Sequence, residues 1–194
     1  EALKLKPTPH LKTTFTDFSG NEKELKIRYY QVQGILHLIF MKRFLLGDDT
    51  GLGKTLESIA ALCYIWEKDP GRKVIVLTTK SATPQWAKEF AKFTKGVRVI
   101  IASGTRKHRE AAYATWRKGS MPTGMVMGYR SAVNDIRKLQ RDEGYILICD
   151  EATAFKNPKT QVHQVIRHMS EMADRTWALT ATLIKNHLME GHGI

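Results

Sequence analysis

Residues 47–55 read GDDTGLGKT, and what stands on either side of them decides the fold. The apolar run Phe44-Leu45-Leu46 precedes the stretch and a segment with helical apolar spacing follows it, so it lies where a strand turns into a helix. That is the context of a phosphate-binding loop. Gly51 and Gly53 let backbone N–H groups close on phosphate oxygens, Lys54 reaches the β and γ phosphates, and the Thr55 hydroxyl ligates Mg2+. Asp48, Thr50 and Leu52 complete the cradle, although the strict pattern has glycine where this chain has Asp48. A carboxylate pair, Asp150-Glu151, ends a second apolar strand-like run and supplies the acidic partner such a loop requires.

Working outward, strand-like runs at 44–46, 74–78, 97–102, 125–127, 145–149 and 177–180 alternate with helical ones. Ile59, Leu62, Cys63 and Trp66 share one helical face after the loop, and Val162, Val165, Ile166 and Met169 share another. Thr83-Pro84 and Asn157-Pro158 each read as a cap followed by proline at the first helical position. An earlier helix carries Val32, Ile35, Leu36, Ile39 and Phe40 on one side, and the lead-in before it holds a short strand around 13–18. The aromatics Tyr29, Tyr30, Trp66, Trp86 and Trp177 read as core or core edge. This alternation predicts an α/β fold, a three-layer α/β/α domain around a mainly parallel central sheet.

At 194 residues and 42% hydrophobic, the chain has material for one full-sized domain. Its net charge of +12, from 31 Lys+Arg against 19 Asp+Glu, favours a polyanion as partner. No apolar run approaches the about eighteen residues of a membrane span. The two cysteines, Cys63 and Cys149, fall in core patterns and read as reduced, and the seven histidines show no metal-ligand spacing.

In an open parallel sheet, ligands bind at the carboxyl ends of the strands, where both the phosphate loop and Asp150-Glu151 fall. Asp150 then approaches the Mg2+ on Thr55, and Glu151 orients or deprotonates the attacking water. Alone, the acidic pair would be a solvated strand end; beside the loop it reads as catalytic, with Lys54.

The sequence resembles the Swi/Snf-type ATPases, a branch of the superfamily-two helicase-like motors. Arg28-Tyr29-Tyr30-Gln31-Val32-Gln33-Gly34 is similar to that family's adenine-recognition segment, which implies Arg28 and Gln31 at the nucleotide, Gln31 reading the adenine edge. Asp48 also fits, because the family carries aspartate there. Thr79-Lys80-Ser81-Ala82-Thr83-Pro84-Gln85-Trp86 resembles a further family segment, Asp150-Glu151-Ala152-Thr153-Ala154-Phe155-Lys156-Asn157 the acidic motif, and Leu179-Thr180-Ala181-Thr182-Leu183-Ile184-Lys185-Asn186 the threonine motif. The segments follow the family's order from about Arg28 to Glu190. Thr153 replaces the family's usual histidine, and Ala181 and Leu183 replace glycine and proline.

The resemblance implies a first RecA-like ATP-binding lobe over residues 25–194, with residues 1–24 as lead-in and a second lobe elsewhere in a longer protein. It implies ATP and Mg2+ as cofactors and DNA as partner, duplex and read without sequence preference. Lys80, Ser81, Gly128, Tyr129 and Arg130 would hold phosphates of one strand, and Thr180 and Thr182 would couple nucleotide state to DNA grip. The basic clusters 106–109 and 117–118 extend that track or form a solvated face. Two other functions share the loop: a nucleotide-kinase-type phosphoryl transferase, and a nonhydrolytic nucleic-acid-binding module. The short connections and lack of acidic insertions favour the cytoplasm of a bacterium or virus-infected host over the nucleus.

Overall fold

A strand covered on both faces must be apolar at successive positions, and the segment Lys73–Thr78 meets that demand: Val74, Ile75, Val76 and Leu77 are all fully buried. The computed structural model describes residues 8–17, 19–155 and 157–181. In chain order they form β1 (Thr14–Thr16), β2 (Glu22–Glu24), α1 (Tyr29–Phe40), β3 (Arg43–Leu46), α2 (Lys54–Lys68), β4 (Lys73–Thr78), α3 (Thr83–Phe93) and β5 (Arg98–Ala102). There follow α4 (Arg106–Lys118), β6 (Thr123–Gly128), α5 (Tyr129–Leu139), β7 (Ile146–Asp150), a 3-10 turn (Ala152–Phe155), α6 (Gln161–Met172) and β8 (Arg175–Leu179).

Six strands form one parallel sheet in the order β3-β8-β7-β4-β6-β5. Side chains alternate across it. Val74, Val76, Val126, Ile146 and Ile148 pack under α1, α2 and α3, while Ile75, Leu77, Met125, Met127 and Leu147 pack under α4, α5 and α6. The expected three-layer α/β/α architecture is therefore present. β3 lies at one margin of the sheet, and its Arg43 guanidinium caps the end of α6 by donating to the Ser170, Ala173 and Asp174 carbonyls.

β1 and β2 pair as a separate antiparallel hairpin against α3, where Phe15 meets Phe93 edge-on at 5.6 Å. Cys63 and Cys149 are buried and free, and burial pushes the Cys63 thiol up to about 12, which keeps it unreactive. No described helix is long and apolar enough to cross a membrane.

Several local expectations need correction. Phe40 is 77% exposed and Leu38 takes the buried place, because α1 turns Ile35 and Leu38 toward α2. Tyr29 is likewise 58% exposed, whereas Trp66, Trp86 and Trp177 are core. Thr83 is inside α3 and its hydroxyl donates back to the Thr79 carbonyl, so Ala82 holds the N-cap place. Asn157 closes a turn with the Lys159 N–H, and the cap of α6 is Thr160, which accepts from the His163 N–H at 3.2 Å.

Candidate nucleotide and nucleic-acid site

The phosphate loop leaves β3 and enters α2 through two glycines in the left-handed region, Gly51 at φ 81° and Gly53 at φ 97°. A Cβ at Gly53 would also run into the Gln31 amide, so only glycine fits. The N-terminus of α2 thus opens into a cleft of about 1110 Å3, also lined by Arg28, Gln31, Thr50, Lys54, Thr55, Asp150 and Glu151. Lys54 Nζ donates to the Asp48 and Asp49 carbonyls at 2.6 and 2.9 Å, which holds the ammonium across the loop.

Asp150 arrives from the end of β7. Its Oδ2 accepts from Trp86 Nε1 at 2.7 Å and from the Thr78 hydroxyl at 3.1 Å, and its Oδ1 accepts from the Glu151 N–H at 3.0 Å. A carboxylate offers about four lone-pair directions, so Oδ1 keeps one toward the cleft. Glu151 is exposed and sits at φ 54°, a left-handed conformation that a non-glycine residue adopts at a cost.

The Thr55 hydroxyl and Asp150 carboxylate are hard oxygen donors lining one cleft, which fits Mg2+. Among the described residues no cluster of three His, Cys, Asp or Glu could hold a metal alone.

Gln31 is buried. Its Oε1 accepts from the Arg28 N–H and its Nε2 donates to the Leu52 carbonyl, both at 2.9 Å. One N–H and one acceptor direction remain on the amide, the pair an adenine edge requires. Tyr30 also donates to Leu52, at 3.3 Å. Sequence reasoning missed four groups here. Phe15 lines the cleft from the lead-in and Leu25 from the residue just after it, Trp86 grips Asp150, and Glu57 lies fully buried against Gly34 beneath the loop. Glu57 is signalled only by a charge on an otherwise apolar helix face.

Among the candidate nucleic-acid residues, Lys80 and Ser81 follow β4 and Gly128, Tyr129 and Arg130 follow β6; Thr78 pairs with Gly128 in the sheet, so the two segments adjoin. Lys80, Ser81 and Arg130 are exposed. Tyr129 is buried and its hydroxyl donates to the Asp150 carbonyl, while burial pushes that hydroxyl well above the ordinary tyrosine range, so it stays a donor. Three basic side chains of the clusters in α4 are paired internally: Arg106 with Glu110 at 2.9 Å, Arg109 with Asp135 at 2.5 Å and Arg117 with Asp142 at 2.6 Å. Thr180 is buried beside the loop strand, its N–H donating to the Leu46 carbonyl at 3.1 Å; Thr182, Lys156 and residues 183–186 lie outside the described residues.

The family model of the SNF2-related domain matches residues 30–194. The chain belongs to that family. This SNF2-related chain is 30% identical to Helicase domino of Drosophila melanogaster over 84% of its own length and 5% of that protein's. It is 28% identical to the ISWI chromatin-remodeling complex ATPase ISW2 of Saccharomyces cerevisiae, over 87% and 15%. Among solved structures, the Sulfolobus solfataricus SWI2/SNF2 ATPase core in complex with dsDNA superposes with TM-score 0.75 at 25% identity, covering 87% of this chain and 35% of that one. The chain thus spans a small part of the curated relatives it matches. It is a Swi/Snf-type, helicase-like ATPase domain with the RecA-like fold of that core.

One expectation is overturned by these relatives. The two curated sequence relatives named above are eukaryotic proteins, one of them an ATPase named for chromatin remodeling, which conflicts with a bacterial or virus-host cytoplasm in preference to the nucleus. Short connections reflect how tightly this lobe is wound and carry no cellular address.

Proposed function

We propose that residues 25–194 form the first of two RecA-like lobes of a motor that binds ATP with Mg2+, hydrolyses it when engaged on duplex DNA, and moves along that duplex. The observation that carries this reading is the convergence of Lys54, Thr55, Asp150, Glu151 and Gln31 on one cleft at the carboxyl ends of β3 and β7. Asp48, Thr50, Gly51, Leu52 and Gly53 form the wall that wraps the phosphates, and Arg28 and Gln31 hold the adenine. Lys54 neutralises phosphate charge and Glu151 orients the water. Bound by Thr55 and Asp150, Mg2+ would spread the charge of the transferred phosphoryl group.

Lys80, Ser81, Gly128 and Arg130 present one basic rim beside the cleft, suited to phosphates of one DNA strand, and Thr180 links that rim's sheet to the loop strand. The dsDNA in the similar Sulfolobus core supports duplex as the partner. The test is Lys54→Ala in the intact protein. Loss of DNA-stimulated phosphate release by about a hundredfold or more is expected, since the residue supplies charge where it develops. Full DNA-dependent function without nucleotide turnover would mark a binding module instead.

A further inference from the structure

Asp150 is held by more than its own strand, and the groups that hold it come from the segments carrying the candidate DNA contacts. Thr78, which donates to Oδ2, ends β4 immediately before the loop with Lys80 and Ser81. Trp86, which donates to the same oxygen at 2.7 Å, is on α3, and that helix begins from the same loop through the Thr79 carbonyl, which accepts from the Ala82 and Thr83 N–H groups. Tyr129, which donates to the Asp150 carbonyl, stands between Gly128 and Arg130. Thr78, Trp86 and Tyr129 are all buried, so none of them touches solvent phosphate directly.

Resting on the ATPase reading above, we propose that Trp86, Thr78 and Tyr129 are positioning residues that orient Asp150 and convey DNA occupancy at Lys80, Ser81 and Arg130 to it. The physical reason is that a carboxylate whose Oδ2 is occupied by an indole and a hydroxyl can turn only Oδ1 to the cleft. Ring and hydroxyl are rigid groups, so a small displacement of α3 or α5 by a bound backbone is felt at the aspartate. Outer partners of a ligating carboxylate commonly change metal affinity about 10- to 100-fold when removed. By linkage, whatever DNA does to the Mg2+ requirement, Mg2+ and nucleotide do to DNA affinity.

The experiment uses the intact protein and reads the anisotropy of a fluorescent ADP analogue while Mg2+ is titrated, with and without duplex DNA. Trp86→Phe should raise the Mg2+ needed for half-maximal binding about tenfold and leave Mg2+-free nucleotide affinity unchanged. Tyr129→Phe should abolish the change that DNA makes in the Mg2+ requirement. Phe90→Leu serves as packing control: Phe90 lies 5.9 Å from the Trp86 ring, so this variant loosens the same cluster while sparing the indole bond.

If the unmodified protein shows no Mg2+-dependent nucleotide binding, the ATPase reading itself fails, and this inference with it. If it binds normally and both Trp86→Phe and Tyr129→Phe match it, the inference alone is overturned. A shift in Phe90→Leu as large as in Trp86→Phe also overturns it, since packing would then explain the effect. Should Trp86→Phe fail to fold, Tyr129→Phe decides, because it keeps the ring and loses only a hydroxyl.

Discussion

Glu57 is a carboxyl group buried completely under the phosphate loop, with neither oxygen hydrogen-bonded. Loss of water, then the Asp48 charge, push its pKa up to about 8, with Lys54 pulling the other way. In the folded protein near neutral pH it is therefore a neutral acid, whereas the unfolded chain ionises it near 4.5. The unfolded state gives up its proton first, so stability is greatest below the lower value and declines as pH rises toward the upper one. Each pH unit between them weakens the fold by up to about 1.4 kcal/mol. Glu57→Gln removes this titration, and urea unfolding at a series of pH values should show a flatter profile than the unmodified protein; equal slopes would refute the assignment. Lys54 and Asp150 were legible in the sequence because their chemistry is written in contiguous motifs. Trp86 and Tyr129 were not, since their bonds to Asp150 join residues 64 and 21 positions apart.

At the scale of elements, the sheet strands were readable because a strand covered on both faces has an uninterrupted apolar run, as at Val74 to Leu77. The helix starts were less so. Thr-Pro and Asn-Pro announce a break in the chain, but which residue caps depends on the φ and ψ that the preceding turn imposes, and Thr160 won over Asn157. Thr160→Ala should therefore lower stability by about 1 kcal/mol in chemical denaturation, and Asn157→Ala by less. The reverse order would restore Asn157 as the cap. Phe40 went astray for a related reason: periodicity marks an apolar stripe, yet only packing fixes where the stripe ends, and Phe40, the last residue of α1, is left exposed beyond it.

For the whole molecule, a cleft open on one side needs charge from elsewhere. An arginine finger supplies about 10³ to 10⁵ in rate in other NTPases; on the proposal that a second lobe brings one, this chain by itself should release phosphate slower than the intact protein by a factor of that order. A basal rate equal to the intact motor's would remove the case for a second lobe. The outermost place of β3 has its own consequence. Only β8 stitches it to the sheet among the described residues, so the loop proposed to seat the triphosphate hangs from an outer margin, where sheets fray. A nucleotide lodged there would hem that margin, and on its leaving the same border would loosen: fuel and fabric wear together.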